Sequence, residues 1–426
     1  MTVVTKPAVR SRAASVQKIV TKGGIEAWLV ENYTVPLVAL EFSLAGGAAQ
    51  DPAGKPGAAS LLAGLLDEGA GPYDSAEFHR VLEDYAMEIS FSADRDILVG
   101  RLQTLARHIP KAFELLRLAV NEARLEDEPF RRVRGQIAAG LRREINDPDY
   151  AAGRIFRMRA YPGHPYGAPV RGELESLDAL TREDLFDMRA KVFARDRLKI
   201  AAVGAIDAAQ LAQHLDDVFG PLQEKATLVA VPDVQFAGIG TREIVDLDIP
   251  QSTIRFGRQG IGRRDPDHIA ATVVNHVLGG GVFSARLFRE VREKRGLAYS
   301  AYSQLGTYDH GAMLVGSTST KNERAAESLS VIEAEIRNLA DEGPQEEELE
   351  KAKKYLTGSY DLRFDTSTKI ASQLVHLQAE GYDVDYLDER NKLIEAVTMA
   401  DGKRVAKRLF DDAQMLVVVA GRPVGM

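Results

Sequence analysis

The sequence contains no cysteine. Disulfides, a thiolate metal site and a cysteine nucleophile are therefore excluded, and redox chemistry leaves the compartment open. Histidine is sparse: the eight are His79, His108, His164, His214, His268, His276, His310 and His376, and no two lie three or four positions apart. No helix can then turn two imidazoles toward one metal ion by sequence proximity. No apolar run approaches the roughly 20 residues needed to span a bilayer, so membrane insertion is not expected. Positive charge is short as well, with 54 Lys and Arg against 62 Asp and Glu and a formal net charge of −8, which argues against nucleic acid as a partner. Local basic runs such as Arg131-Arg132-Val133-Arg134 have acids close by and read as a solvated helix face.

The first 17 residues carry Lys6, Arg10 and Arg12 and no acid, but lack the apolar core of a secretory signal, and Pro7 interrupts any amphipathic helix of transit type. Residues 1–17 are expected to be a flexible lead-in. The expected location is soluble and cytoplasmic from the sequence as given, or periplasmic if a signal peptide was removed.

What is present is an ordinary globular composition, 45% hydrophobic and 27% charged, over a length of 426 residues that suggests two domains. Strands are predicted at Lys18 to Val30, broken by the Gly23-Gly24 turn, and at Pro36 to Ala45, near Ala86 to Ala93, Ile97 to Leu105 and Leu198 to Gly204. Helices are predicted at Ala58 to Asp67, Ser75 to Tyr85, His108 to Glu122, Glu128 to Ile145, Tyr150 to Ala160 and Arg182 to Phe193. The end of the first half recurs in the second. Thr181, Asp184, Phe193 and Gly204 each have an identical residue 217 positions on, at Thr398, Asp401, Phe410 and Gly421, with a buried-strand pattern before the glycine in both copies. A period this long indicates a duplicated domain and not a short solenoid repeat. The expected division is 18–228 and 229–426, at the Gly220-Pro221 and Val231-Pro232 punctuation. Adjacent strand runs mixed with helices favour an α+β class with largely antiparallel sheets.

The richest stretch runs from Gly279 to Tyr308. Gly279, Gly280 and Gly281 offer a loop free to take positive φ, and Ser284 is placed to cap a helix carrying Leu287, Phe288 and Val291 at helical spacing. Lys294 and Arg295 fall in its last turn before Gly296, a good C′ residue. A strand follows, with Leu297, Tyr299, Ala301 and Ser303 expected on one face. By composition alone Arg292 is one of several charges on a polar helix face, and Tyr299 an ordinary strand aromatic. The glycines lack the Lys-Ser/Thr ending of a phosphate loop and do not fit G-x-G-x-x-G, so nucleotide binding is not expected.

Leu278-Gly279-Gly280-Gly281, Ser284-Ala285-Arg286-Leu287-Phe288 and Arg292-Glu293-Lys294-Arg295-Gly296-Leu297-Ala298-Tyr299-Ser300 arrive in the order of the second-domain signature of the pitrilysin-type (M16) zinc peptidases, which this chain resembles over nearly its whole length. The resemblance implies a pitrilysin/LuxS-like fold: two homologous α/β rolls, mostly antiparallel sheet flanked by helices, forming half of a clamshell. It implies that Arg292 and Tyr299 reach toward peptide, and that Gly279, Gly280 and Gly281 touch it.

In such peptidases two His and a Glu hold zinc and a second Glu serves as base. Here the matching positions are Ser60 and Gly64 for the two His, Ala63 for the base and Gly140 for the Glu ligand. No metal is expected in this chain. The reading that follows is an inactive subunit of a two-chain zinc endopeptidase, whose partner bears an intact His-x-x-Glu-His motif and the zinc, with substrate peptide between them. The alternative is a stand-alone structural or peptide-binding protein without a catalytic partner, with a homodimer possible in isolation.

Overall fold

The computed structural model describes residues 11–281 and 283–426. It contains two sheets of the same plan. In the first, β1 (Gln17–Val20), β2 (Glu26–Glu31), β3 (Leu37–Ala45), β4 (Glu88–Ala93), β5 (Ile97–Leu105) and β6 (Lys199–Gly204) lie in the order β1-β2-β6-β3-β5-β4. In the second, β7 (Arg242–Val245), β8 (Gln251–Gln259), β9 (Ala298–Tyr308), β10 (Gly311–Lys321) and β11 (Leu416–Ala420) lie in the order β7-β11-β8-β10-β9. Each sheet has one parallel pair, β2 with β6 and β7 with β11, and is otherwise antiparallel.

The 217-residue echo has a physical basis at both ends. Thr181 and Thr398 each accept a bond from the backbone N–H three residues on, while Asp184 and Asp401 reach back to the threonine N–H, so the same reciprocal cap starts the last helix before each final strand. Gly204 and Gly421 end those strands at φ of 139° and 138°, a conformation open to glycine, and a Cβ on Gly204 would lie 2.1 Å from the Leu37 carbonyl oxygen.

The central strands are buried on both faces, because each sheet is sandwiched. Own-side helices cover one face; the other face takes a helix from the opposite half. The helix Pro148–Ala160, started by Asp147 capping Tyr150 N–H at 2.9 Å, packs Phe156 and Ala160 on Leu416, Val418, Met313 and Val315 of the second sheet. The helix Ser367–Ala379 packs Ala371, Leu374 and Val375 on Trp28, Ala201 and Val203 of the first. Strand alternation serves both layers: Ile200 and Ala202 of β6 face the first core, and Ala201 and Val203 face the exchanged helix. Of the lead-in expected over 1–17, residues 1–10 lie outside the described part. Ser11 Oγ and the Arg12 backbone N–H donate to the Asp388 carboxylate at 2.5 and 3.0 Å.

Candidate functional site

The Gly279 to Tyr308 stretch lies at an edge of the second sheet. The helix His268–Asn275 widens into a π turn over His276–Gly280, a tight turn follows, and a second π turn spans Phe288–Glu293. The helix predicted from Ser284 is therefore shorter and wider than three α turns. Its end is as expected: Gly296 takes φ of 56°, its N–H donates to the Arg292 carbonyl at 3.0 Å, and β9 begins at Ala298.

The three glycines serve close packing, not positive φ. A Cβ on Gly279 would stand 2.4 Å from the Ser303 backbone nitrogen, so only glycine lets the π turn lie against β9. Asn275 locks the same contact, accepting from Ser303 Oγ at 2.8 Å and donating to its carbonyl at 3.3 Å. Gly281 sits behind, where a Cβ would be 2.9 Å from His276 Nε2.

Strict alternation along β9 fails near its start. Ala298 pairs with Thr320 and Ala301 with Thr318, so two residues of β9, Tyr299 and Ser300, oppose the single Ser319. This bulge turns Tyr299 out of the face that buries Ala301 and Ser303, and leaves it 84% exposed.

Tyr299 then meets Arg292. The guanidinium lies 4.7 Å from the Phe288 ring centroid and 4.8 Å from that of Tyr299. Its neighbours are all neutralised: Arg286 and Arg289 pair with Glu348 at 2.6 and 3.2 Å, and Lys294 and Arg295 pair with Glu290 at 2.7 and 2.8 Å. Burial alone would raise the Glu290 pKa, but Lys294 and Arg295 outweigh it and hold the carboxyl at about 2. Among the described residues Arg292 has no carboxylate partner.

Arg292 and Tyr299 line a cavity of about 790 Å³ together with Gly279, Gly280, Phe283, Phe288, Tyr302 and Leu356, and among the described residues no acid borders it. His276 forms part of the wall, its ring stacked on Tyr355 at 4.9 Å and its pKa lowered by burial. Chemically this is an aromatic basin with one unpaired guanidinium and two exposed phenols, of which Tyr299 is the more open. Sequence reasoning found Arg292, Tyr299, Gly279 and Gly280 on it. It missed Phe288, whose ring positions Arg292, although the four-residue spacing to Arg292 was readable as one helix face.

The positions matching a zinc site lie in the first half. Ser60 and Ala63 are on the helix Ala58–Ala63, Gly64 follows it, and Gly140 is on the helix Asp127–Glu144, which packs against it. A Cβ on Gly64 would stand 3.1 Å from Val133 Cγ1, so a methyl of that helix crowds any side chain at 64. The nearby acids are otherwise engaged. Glu68 takes two bonds from Arg132, at 3.1 and 2.6 Å, and one from Ser75 Oγ at 2.5 Å. Asp67 is pushed up to about 6, chiefly by burial. Among the described residues no group of three or more His, Asp or Glu is placed to hold a metal ion. Zinc does not fit this donor set.

Two models of one peptidase family match this chain. A model of the insulinase family (peptidase family M16) matches residues 28–172, and a model of the peptidase M16 inactive domain matches residues 179–356. The chain belongs to peptidase family M16. Relatives within it include the non-peptidase homolog YmxG of Helicobacter pylori, 25% identical over 79% of this chain and 78% of that one. An uncharacterized zinc protease of Mycobacterium leprae is also 25% identical, over 94% of this chain and 91% of that one. The crystal structure of a peptidase M16 inactive domain from Pseudomonas fluorescens superposes with a TM-score of 0.89 at 25% identity, covering 96% of this chain and 98% of that one. A protease from Helicobacter pylori shares the fold with a TM-score of 0.86 at 19% identity, covering 95% and 99%.

This M16 chain is thus an inactive member of the family, with the pitrilysin-like fold intact. Leu61, Leu62, Leu65 and Leu66 remain fully buried around the lost zinc positions, so the helix persists as a core element. Among the described residues no helix is long and apolar enough to cross a membrane.

Proposed function

We propose that this chain is the non-catalytic subunit of a two-chain M16 zinc endopeptidase, and that Arg292 and Tyr299 act on peptide held at the partner's active site. The partner, a similar chain with intact His-x-x-Glu-His, brings the zinc and the base that together activate water. Peptide lies between the two subunits. The halves 18–228 and 229–426 form this subunit's side of the chamber, with Gly279 and Gly280 along the peptide's path.

One observation carries the reading: Arg292 is the one cation of 286–295 left without a carboxylate, held between two rings beside an exposed phenol on a cavity wall. A guanidinium kept free and pre-oriented is suited to a peptide carbonyl. The Tyr299 hydroxyl, re-aimed outward by the bulge, is suited to donate a hydrogen bond to the scissile carbonyl oxygen as negative charge develops there. Both groups contribute only in an assembled enzyme, which agrees with the unfit zinc positions here.

Co-expression with an M16 chain bearing the intact motif tests this. A stable heterodimer that cleaves a quenched fluorogenic peptide, where neither chain does so alone, is the expected result. A self-sufficient homodimer with no affinity for such a partner would replace the proposal with a stand-alone peptide-binding role.

A further inference from the structure

Three guanidinium groups converge where the exchanged helix Pro148–Ala160 crosses the second sheet. Arg157 comes from the helix, Arg255 from β8 and Arg95 from the turn between β4 and β5. A Cβ built on Gly153, one turn before Arg157, would lie 3.4 Å from both Arg157 Nη1 and Arg255 Nη2, so two of the guanidiniums flank one helix position. Arg95 is buried, with its guanidinium 5.5 Å from the Tyr308 ring centroid and one donated bond, to the Ala168 carbonyl at 3.2 Å.

Compensation is incomplete. Arg255 donates to Asp149 at 2.8 Å, but neither Arg95 nor Arg157 has a carboxylate partner among the described residues, and the Arg157 guanidinium donates no hydrogen bond to any of them. The nitrogen Nε of Arg157, that of Arg255 and the Tyr161 hydroxyl are buried without partners. The carboxylate beside Arg95 in sequence, Asp96, is taken by the Tyr166 hydroxyl at 2.6 Å and the Asp309 N–H at 3.1 Å. Three positive charges thus face one negative. Burial, then Arg95 and Arg255, bring the Arg157 pKa down to about 10, so the group stays charged at neutral pH. A buried cation without a counter-charge is costly, and planar guanidinium forks match oxyanions with paired hydrogen bonds.

We propose that this seam binds one small oxyanion, held jointly by Arg95, Arg157 and Arg255, which ties the exchanged helix to the second sheet. The proposal is independent of the role given to Arg292 and Tyr299. The anion is either free inorganic phosphate or the terminal carboxylate of a bound peptide, and both present the same paired oxygens.

Thermal unfolding of the full chain tests it, with sodium phosphate titrated against sodium chloride at matched ionic strength. A saturable phosphate-specific rise in Tm of about 2–4 °C is expected. Arg157→Leu should abolish the rise and melt no lower than wild type in chloride. Arg157→Lys, which keeps the charge and loses the fork, should need at least about tenfold more phosphate. Acetyl-trialanine with a free carboxylate against its amide separates the sources: stabilisation by the acid alone assigns a peptide terminus, and by phosphate alone a free anion. No shift beyond chloride with any of these ligands, or equal shifts in wild type and both variants, would overturn the proposal.

Discussion

Arg292 and Tyr299 meet face to ion, the guanidinium 4.8 Å from the ring centroid, and the contact joins the end of a helix to the first turn-out of the strand after it. A flat guanidinium stacks on such a ring and still offers its donor fork, which an ammonium does not. Arg292→Lys keeps the charge but neither the stacking nor the fork, and is expected to lower peptide turnover of the assembled enzyme at least about tenfold while leaving Tm nearly unchanged. Parallel kinetics and calorimetry check it; a large loss of Tm would mark the residue as structural instead.

Gly279 sets how close the π turn lies to β9. Gly279→Ala would place a methyl 2.4 Å from the Ser303 nitrogen, so turn or strand must shift. A loss of about 1–3 kcal/mol in urea unfolding is expected. Gly296→Ala, where a Cβ meets nothing within 4 Å but φ is 56°, should cost less, about 1 kcal/mol, through backbone strain alone.

Glu290 is a carboxylate with a depressed folded pKa, about 2 against an ordinary 4.5, because Lys294 and Arg295 favour its charged form. Its contribution to stability is therefore complete above about pH 4.5 and is lost as pH falls toward 2. Lys294 and Arg295 are half-exposed, which discounts the figure to about 1–2 kcal/mol. Glu290→Gln should lose that stability at pH 7 and flatten the decline between pH 4.5 and 2, as read from urea midpoints across that range.

The lost zinc site gives a direct chemical test. After dialysis against zinc and then buffer, wild-type chain should retain under about 0.1 zinc per chain by elemental analysis. Restoring the motif with Ser60→His, Ala63→Glu, Gly64→His and Gly140→Glu should bind zinc poorly until Val133→Ala is added, since Val133 Cγ1 would lie only 3.1 Å from the new Cβ at 64.

Much of this was readable in the residues. The Thr181 and Thr398 caps, Gly204 and Gly421, and the glycine end of the Arg292 helix are local devices, and local chemistry names them. The absence of ligands at Ser60, Gly64 and Gly140 was likewise plain. The exchange of the Pro148–Ala160 and Ser367–Ala379 helices between halves was not, because an apolar helix face does not say which sheet it covers. Nor was the outward Tyr299: alternation places it beside Ala301, and the bulge opposite Ser319 depends on the partner strand. The Arg95, Arg157 and Arg255 cluster draws on three distant segments that only folding brings together.

The central claim is that this chain's phenol works on a peptide bond broken by another chain. Turnover of a fluorogenic peptide by the reconstituted complex with Tyr299→Phe measures this most directly. Unchanged assembly on size exclusion with kcat reduced by about 100- to 1000-fold is the expected result. A complex carrying Tyr299→Phe that cleaves at the wild-type rate would contradict the account.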